Sequence, residues 1–406
     1  MSILGVWMWP QSIRVYGAEK TVERCAMAGV TDIYFLSKGL AGTVSYRSAL
    51  APSCSDRDFL SELLQAAHAC GIRVHAWLTS ANDEHYKALH PQSGRCHYTR
   101  GRDKALISLT DVGYLGYMEQ IVSDLCRNYD IDGLHLDYIR YNHLLYGWSQ
   151  EDQARYAACG ADIAHLKTLM DKTFLSKQNA DGNCIFDALR DGDESVRALA
   201  QVRRSDVRHF AQTLTAYARA QRNDLILTAA LMPEGAYEDT AFADLHYGQS
   251  YEDAAALYDY VLPMAYSKAY GKDGSWVRSV AEGTIKKGIR TVMGLHAYER
   301  GTCLSLREDI NALKQTAVDG ICLFRDGAFA LALMDGRHVQ LHNTLESPIT
   351  AVCAGPDEAM LTLERAILPG EERTLTLTHV PDTLRVFSGE TEGCVYLTDD
   401  KSKQKR

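Results

Sequence analysis

The stretch YDIDGLHLDYIRY, residues 129–141, decides the fold. Side chains alternate along a β-strand, so its two leucines face one side while His135 and Asp137 face the other. If the leucines pack against helices, the two polar side chains point inward and Asp137 lies at the carboxyl end of the strand. Burying a carboxylate is costly unless the group is paired or used in function. We expect a catalytic or substrate-binding role for Asp137, with a structural Asp137–Arg140 ion pair as the alternative.

Seven further β-branched or aromatic runs occur, and most are followed by a helical pattern. The eight predicted strands are Leu4–Trp9, Asp32–Ser37, Ile72–Leu78, Gly133–Tyr138, Leu225–Met232, Tyr260–Tyr266, Thr291–His296 and Gly320–Arg325. The predicted helices are Ala18–Ala28, Asp56–Ala69, Tyr114–Asn128, Ser205–Gln221, Trp276–Lys287 and Leu306–Ala317. Alternating strands and helices predict a parallel sheet, and eight such units close a (β/α)₈ TIM barrel. A doubly wound open sheet is the alternative, but no G-x-G-x-x-G motif follows the first strand.

Insertions lengthen the loops after strands two, three and four, because a minimal βα unit takes about 30 residues. The longest covers about residues 142–202 and is polar and punctuated by glycines. All three follow the carboxyl ends of strands, where TIM-barrel enzymes place their active sites.

The pattern changes near residue 343 to short strand-like runs separated by turn residues. This pattern predicts a small, sandwich-like all-β domain over residues 343–398. The barrel domain is accordingly predicted to span residues 1–342, and residues 399–406 to form a disordered tail. We expect the β-domain to stabilise the barrel, with sugar binding as its alternative role.

Composition excludes several classes of function. The 406 residues carry a net charge of −9, whereas a surface that binds nucleic acid is basic. No apolar run approaches the roughly 20 residues that span a bilayer, and no signal region opens the chain, so we expect a cytoplasmic protein. The 11 cysteines show no C-x-x-C spacing, which favours reduced thiols over a disulfide framework or a zinc site. We therefore predict no metal, no cofactor, no nucleic-acid partner and no membrane association.

Several strand ends carry aromatic, carboxylate or imidazole groups. Aromatic faces stack on sugar C–H surfaces and carboxylates bind hydroxyl groups, so this mixture predicts an oligo- or polysaccharide substrate. A phosphate-binding barrel is expected to show a glycine-rich loop after strand seven or eight, for which Gly327 alone is weak evidence. The predicted substrate-binding residues are Trp7, Trp9, His75, Trp77, His135, Tyr138, Arg140, Tyr141, Tyr266, His296, Tyr298 and Asp326.

The stretch at residues 129–141 closely resembles the YDVDGIHLDYIRYP strand of the glycosyl-hydrolase-like family 10 barrels. Supporting similarity runs in family order over roughly residues 3 to 330, at residues 75–77, 90–91, 203–207, 247–250 and 259–266. The resemblance implies a TIM-barrel glycoside hydrolase, and some relatives cleave bacterial cell-wall glycans. The chain departs from the family at Asn142, where members usually have proline, in its long insertion and in its lack of a visible export signal. Substrate class and compartment are therefore not carried over.

The same strand is similar to the D-G-x-D-x-D-x-E strand of the chitinase-type barrels of glycoside hydrolase family 18. His135 stands at the second aspartate of that motif and Ile139 at its catalytic glutamate. The similarity therefore implies a related fold without substrate-assisted hydrolysis by that glutamate. Ser267 likewise stands where that family has an aspartate on strand six.

Glycoside hydrolysis uses two carboxyl groups, about 5 Å apart for retention and about 6.5–9.5 Å apart for inversion of the anomeric configuration. We predict Asp137 as the nucleophile or base, held ionised by Arg140 and oriented by His135. The candidates for the general acid are, in order of preference, Glu234, Glu299 and Asp326. An apolar wall has to raise the pKa of such an acid, and the three tryptophans among the predicted substrate-binding residues are expected to form it.

Three alternatives stay open. A metal-dependent barrel of the amidohydrolase type would use as ligands His75, His135, His296 and Asp137, although strand one lacks the H-x-H motif of that fold. A second alternative is a catalytically inactive, glycan-binding barrel that has lost its general acid. In the third, the β-domain mediates oligomerisation or attachment and the barrel is passive.

Overall fold

The computed structural model describes residues 2–175, 184–297, 303–355 and 358–400. Its strands are β1 (Ile3–Met8), β2 (Asp32–Lys38), β3 (Arg73–Thr79), β4 (Gly94–His97), β5 (Gly101–Ile107), β6 (Gly133–Asp137), β7 (Ile226–Leu231), β8 (Tyr260–Pro263), β9 (Val292–His296), β10 (Gly320–Phe324), β11 (Ala330–Asp335), β12 (His338–His342), β13 (Ile349–Cys353), β14 (Leu361–Ile367), β15 (Glu372–Thr376), β16 (Arg385–Ser388), β17 (Thr391–Gly393) and β18 (Val395–Asp399). Its α-helices are α1 (Pro10–Tyr16), α2 (Ala18–Ala28), α3 (Phe59–Ala69), α4 (Glu84–Leu89), α5 (Val112–Asn128), α6 (Gln150–Ala158), α7 (Ile163–Phe174), α8 (Cys184–Arg190), α9 (Glu194–Gln221), α10 (Ala241–His246), α11 (Tyr251–Leu257), α12 (Gly274–Lys286) and α13 (Cys303–Leu313).

Eight of these strands form one parallel barrel. Their order in the sheet is β8-β7-β6-β3-β2-β1-β10-β9. Parallel bridges from Val261 to Thr291 and from Met264 to Gly294 connect the two ends of the sheet. The TIM-barrel prediction is confirmed, and each of the eight predicted strands overlaps an observed barrel strand.

The fourth barrel strand, β6, faces as its alternation predicts. Leu134 and Leu136 belong to the large core between the strands and the surrounding helices. A side chain at Gly133 has no room, because a Cβ there would lie 2.2 Å from His75 Nδ1 and 2.6 Å from the Ile226 carbonyl oxygen. Glycine at this position therefore lets β6 lie close to both of its neighbours.

Aspartate caps fix the starts of several helices. The side chain of Asp58 accepts a hydrogen bond from the backbone N–H of the first turn of α3, and Asp111 does the same for α5. Asp193 caps α9, which begins well before the predicted start at Ser205. Such a cap satisfies backbone donors that have no partner inside the helix.

The insertion predicted at about residues 142–202 holds α6, α7, α8 and the first turns of α9. These helices pack around a separate apolar cluster that includes Trp148, Tyr156 and Leu199. A hairpin of β4 and β5, which the sequence does not predict, lies in the loop after β3. Both additions extend the end of the barrel at which β3 and β6 terminate.

Two antiparallel-rich sheets follow the barrel, ordered β15-β12-β11-β18 and β14-β13-β16-β17, with a shared apolar core. Strands β11 and β12 precede the predicted domain boundary at residue 342, yet they pair with β18 and β15 rather than with barrel strands. Of the predicted tail, Asp399 ends β18, whereas residues 401–406 lie outside the described residues. Among the described residues, no helix has the length and apolar character needed to cross a membrane.

Candidate active site

Asp137 ends β6 at the mouth of the barrel, in register with Thr79 on β3. Its Oδ2 accepts a hydrogen bond from Trp77 Nε1 at 3.2 Å, and its Oδ1 accepts one from the Tyr138 backbone N–H at 2.6 Å. Arg140 Nη1 lies 3.4 Å from Oδ1. Asp137 and Arg140 are both buried, so three donors hold this carboxyl group in one position.

The backbone turns directly after Asp137. Tyr138 has a φ of 58°, in the left-handed region that residues other than glycine and asparagine rarely adopt. Its aromatic ring lies under the Arg140 guanidinium, with 4.5 Å between Cζ and the ring centroid. Sparsely populated backbone conformations of this kind cluster at functional sites, and this one adjoins the carboxyl group predicted to act.

Opposing effects act on the pKa of Asp137, which Arg140 was expected to lower. Burial raises the pKa of Asp137, and this effect outweighs the Arg140 guanidinium and the hydrogen bonds, which lower it. The physical reason is that the side chain is only 5% exposed, so its charged form loses most of its hydration. The Asp137–Arg140 ion pair that the structural alternative requires is nevertheless present.

Glu234 lies in the short 3₁₀ helix Pro233–Ala236 that follows β7, which places it at the same end of the barrel. Its Oε1 accepts hydrogen bonds from the hydroxyl groups of Tyr270 at 3.1 Å and Tyr247 at 3.4 Å. Its Oε2 is buried and has no hydrogen-bond partner within the part of the chain that the structure describes. Burial raises the pKa of Glu234, although the two hydroxyl groups and Arg140 lower it.

Arg140 relates the two carboxyl groups to each other. Its positive charge acts on Asp137 and also on Glu234, in each case lowering a pKa that burial raises. Of the two, only Asp137 is in direct contact with the guanidinium, at 3.4 Å. Strands β6 and β7 pair in parallel as neighbours, so Asp137 and Glu234 stand at the carboxyl ends of adjacent barrel strands.

A pocket of about 260 Å³ opens beside Asp137. Its wall is mostly aromatic or aliphatic, with a few polar groups at one side, as is typical of ligand sites. The lining residues are Trp7, Trp9, Leu36, Leu40, Trp77, Thr79, Asp137, Tyr138, Arg140, Met264, Tyr266 and Phe324. Six of the predicted substrate-binding residues are among them, namely Trp7, Trp9, Trp77, Tyr138, Arg140 and Tyr266.

The two histidines predicted on β3 and β6 lie deeper in the barrel. His75 Nε2 contacts Asp32 Oδ1 at 2.8 Å. His135 Nε2 accepts a hydrogen bond from Trp7 Nε1 at 3.1 Å, and its Nδ1 contacts Thr228 Oγ1 at 2.9 Å. Burial lowers the pKa of His135 well below its ordinary value. The structure thus shows a neutral His135 bonded to Trp7 and Thr228, and not the predicted hydrogen bond from His135 to Asp137.

Two further predicted residues point away from the pocket. The Tyr141 hydroxyl donates to Asp206 Oδ2 at 2.7 Å, and the Arg203 guanidinium lies 3.7 Å from the Tyr141 ring centroid, so Tyr141 packs against α9. Asp326 borders a different cavity, of about 30 Å³, which Arg24 also lines. The third-choice acid is therefore separated from the Asp137 pocket.

The segment that follows β9 is described only as far as Ala297. His296 is buried, with its ring 5.7 Å from that of Tyr266, which lines the pocket. Tyr298 and Glu299, predicted as a sugar contact and as the second-choice acid, lie outside the described residues.

Sequence reasoning missed Tyr247 and Tyr270, which donate to Glu234, and Arg325, which packs on Trp9. Tyr247 stands in a segment that carries the family resemblance, so a signal for it existed. Tyr270 lies in an irregular loop and has no comparable signal. Arg325 stands at the end of a predicted strand next to Asp326, and no sequence pattern indicates that its side chain packs on Trp9. The Phe324–Arg325 peptide bond is cis.

The residues that the metal alternative needs are not brought together as a ligand set. His75 and His135 contact Asp32, Trp7 and Thr228 instead. Within the described ranges, no group of three or more histidine, cysteine, aspartate or glutamate side chains is arranged to hold a metal ion.

Comparison with known proteins identifies the fold. No family model and no curated protein sequence matches the chain. Among solved structures, the chain is similar to the glycoside hydrolase domain of PgaB (BpsB) from Bordetella bronchiseptica, with a TM-score of 0.64 and 16% identity over 80% of this chain and 94% of that one.

Two larger enzymes share the same architecture. The chain is similar to a β-galactosidase from the psychrophilic Marinomonas ef1, with a TM-score of 0.56 and 12% identity, and to α-L-fucosidase isoenzyme 2 from Paenibacillus thiaminolyticus, with a TM-score of 0.54 and 15% identity. Each match covers 80% of this chain, but only 54% and 46% of the respective enzymes. At these identities the similarity establishes the barrel fold.

Proposed function

We propose that this protein is a glycoside hydrolase that cleaves an oligo- or polysaccharide with the carboxyl pair Asp137 and Glu234. The observation that carries the proposal is the placement of these two buried carboxyl groups at the carboxyl ends of the adjacent strands β6 and β7, with Asp137 lining an aromatic pocket at the barrel mouth. Solved structures of the same fold include glycoside hydrolases of several kinds, which supports the class of substrate. The resemblance at residues 129–141 supports a relationship to the glycosyl-hydrolase-like family 10 barrels.

The hydrogen bonds at each group suit different roles. All the partners of Asp137 are donors, from Trp77, Tyr138 and Arg140, and donors to a carboxylate favour its ionised form. Burial raises the pKa of both carboxyl groups, but only Asp137 has a direct guanidinium contact, so we assign Asp137 as the nucleophile or as the base that activates water. Glu234 keeps Oε2 unpartnered, and burial raises its pKa, so Glu234 carries the proton that the leaving group takes.

The remaining pocket residues bind and orient the sugar. Tyr138, Tyr266 and Trp9 present aromatic surface to the pocket, and the Trp77 indole N–H fixes the orientation of Asp137. Exclusion of water by this wall strengthens the electrostatic interactions at the bond that breaks.

The test is hydrolysis of a panel of oligosaccharides by the wild type, Asp137→Asn and Glu234→Gln. We expect each substitution to lower kcat by at least about 10²-fold, and the double substitution to cost far less than the product of the two, because both act in one step. Glu234→Gln should also remove the alkaline limb of the pH–rate profile. Arg278→Met, an exposed change on α12, is the control and should retain the wild-type rate.

Two results would contradict the proposal. Full activity of Asp137→Asn would remove Asp137 from the reaction. Binding of an oligosaccharide without any product after long incubation would instead favour the inactive glycan-binding barrel. The anomeric configuration of the first product, read by proton NMR, distinguishes a nucleophile from a base at Asp137.

A further inference from the structure

Trp9 differs from every other tryptophan of this protein. All five tryptophans lie within the described residues, and Trp9 is the exposed one, at 36%. The other four donate their indole N–H groups to His135, Asp137, the Leu144 carbonyl oxygen and the Tyr237 hydroxyl. Trp9 has no such bond among the described residues. Trp9 is therefore exposed, forms part of the pocket wall and has an indole N–H that makes no hydrogen bond to the described residues, and such a side chain is suited to contact a ligand.

Arg325 covers one face of the Trp9 ring. Its Cζ lies 3.8 Å from the ring centroid. Arg325 does not line the Asp137 pocket, whereas Trp9 does, so the guanidinium does not stand between the indole and the pocket. The opposite face is left for a flat, apolar surface such as the C–H face of a pyranose ring.

Glu346 holds the guanidinium from the side of the C-terminal sheets. Its Oε1 lies 3.6 Å from Arg325 Nη2. The Arg325 side chain is 17% exposed and that of Glu346 is 72% exposed. The guanidinium also donates to the Asp326 carbonyl oxygen at 3.4 Å, so three contacts, with Trp9, Glu346 and Asp326, favour one position of Arg325 against the indole.

We propose that Trp9 is the platform of a sugar-ring subsite and that Arg325, tethered by Glu346, is the positioning residue that holds this platform in place. The ligand class is a neutral pyranose within an oligosaccharide, stacked on the indole, while the in-plane indole N–H is left to donate to a hydroxyl group of the neighbouring sugar. The subsite rests on the proposed function for its place beside Asp137. It assigns the segment after β12 a part in substrate affinity, because Glu346 lies there.

Binding is measured in the Asp137→Asn background, so that no probe is cleaved. The probes are hexasaccharides of β-1,4-linked glucose, galactose and N-acetylglucosamine, followed by calorimetry. Replacement of Arg325 by Met removes the charge and keeps most of the chain length, and should weaken binding about 3- to 30-fold, as expected for loss of a cation–π contact. Arg325→Lys keeps a cation over the indole and should restore most of the affinity.

Two further readouts separate positioning from general structure. A bound hexasaccharide should protect Trp9 from acrylamide quenching, and this protection should vanish in Trp9→Phe. In the active background, Arg325→Met should raise KM by more than it lowers kcat. Glu346→Gln, a change at an exposed side chain, should weaken binding by less than Arg325→Met does, and Arg278→Met should leave the affinity unchanged.

Equal binding by the Arg325→Met and parent proteins would overturn the inference, as would the failure of every hexasaccharide to protect Trp9. The two proposals fail separately. If the wild type cleaves a probe whose affinity is unchanged by Arg325→Met, the proposed subsite is wrong and the proposed function stands. If binding depends on Arg325 but no product forms, the subsite stands and the proposed function is wrong.

Discussion

Asp309 provides a test of the structure that is independent of any substrate. It lies on the inner face of α13 and is 1% exposed. Its Oδ2 accepts a hydrogen bond from the Ser267 hydroxyl at 2.6 Å. Burial raises the pKa of Asp309 from 3.8 to about 7, and the nearby Glu308 and Asp273 carboxylates add to this rise while the Ser267 hydroxyl opposes it.

The direction of the effect on stability follows from the two states of the carboxyl group. Below pH 3.8 Asp309 is protonated in both the folded and the unfolded chain, so it does not change the free energy of unfolding. Between pH 3.8 and about pH 7 the unfolded chain ionises while the folded one keeps its proton. The free energy of unfolding therefore falls as pH rises through this window, and the full loss is present above about pH 7.

The magnitude follows from the same shift. Each pKa unit corresponds to about 1.4 kcal/mol, so a rise from 3.8 to about 7 destabilises the ionised folded protein by about 4 kcal/mol. Roughly 1.5 kcal/mol of this is already lost at pH 5, because the unfolded chain ionises first. Between pH 5 and pH 8 the protein should lose about 2–3 kcal/mol through Asp309 alone.

Asp309→Asn removes this titration and keeps an oxygen that accepts from Ser267. Relative to the wild type, the variant should therefore gain about 2–3 kcal/mol in free energy of unfolding between pH 5 and pH 8. Urea unfolding followed by tryptophan fluorescence at the two pH values measures the gain. Asp56→Asn, at an exposed aspartate, is the control, and its free energy of unfolding should differ from that of the wild type by the same amount at pH 5 and at pH 8. An Asp309→Asn variant with the same stability difference at pH 5 and pH 8 would refute the reasoning.

Two changes in the barrel interior test its packing by urea unfolding. Trp7→Phe removes the donor to His135 Nε2 and leaves a buried acceptor, so we expect a loss of about 1–3 kcal/mol; an unchanged midpoint would contradict the hydrogen bond. Gly133→Ala places a Cβ 2.2 Å from His75 Nδ1 and should cost at least about 1–3 kcal/mol. Its control is Gly116→Ala inside α5, where a Cβ meets nothing within 4 Å and should stabilise the helix by about 0.5–1 kcal/mol.

The strands were predictable because their signal is local. An alternating or continuous apolar run fixes where a strand lies without reference to the rest of the chain, and β2 and β6 begin at the predicted residues Asp32 and Gly133. The pairing of β11 and β12 with β18 and β15 was not predictable, because it joins segments that are distant in sequence. A run of apolar residues predicts that a strand exists, but it does not indicate with which strands that strand pairs.

The candidate site was predictable where it depends on strand ends and not where it depends on packing. Glu234 follows β7 directly, so the end of that strand fixes its place at the mouth. Tyr141 follows β6 almost as closely, yet Asp206 and Arg203 hold it against α9 and away from the pocket. The difference is decided by a helix about 60 residues further along the chain, which no local pattern reports.

Depth along a barrel strand explains the other differences. Residues two apart on a strand point to the same side but lie about 6–7 Å apart along it. In a pair of inward-facing residues, the first residue therefore lies about 6–7 Å further from the barrel mouth than the second. Three such pairs occur here, namely Trp7 and Trp9, His75 and Trp77, and His135 and Asp137. In each pair the first residue makes a hydrogen bond inside the barrel and the second lines the pocket; of the three first residues, Trp7 also reaches the pocket, whereas His75 and His135 do not line it. The sequence marks both members of a pair equally, and only the position of the strand end tells the structural residue from the one that faces a ligand.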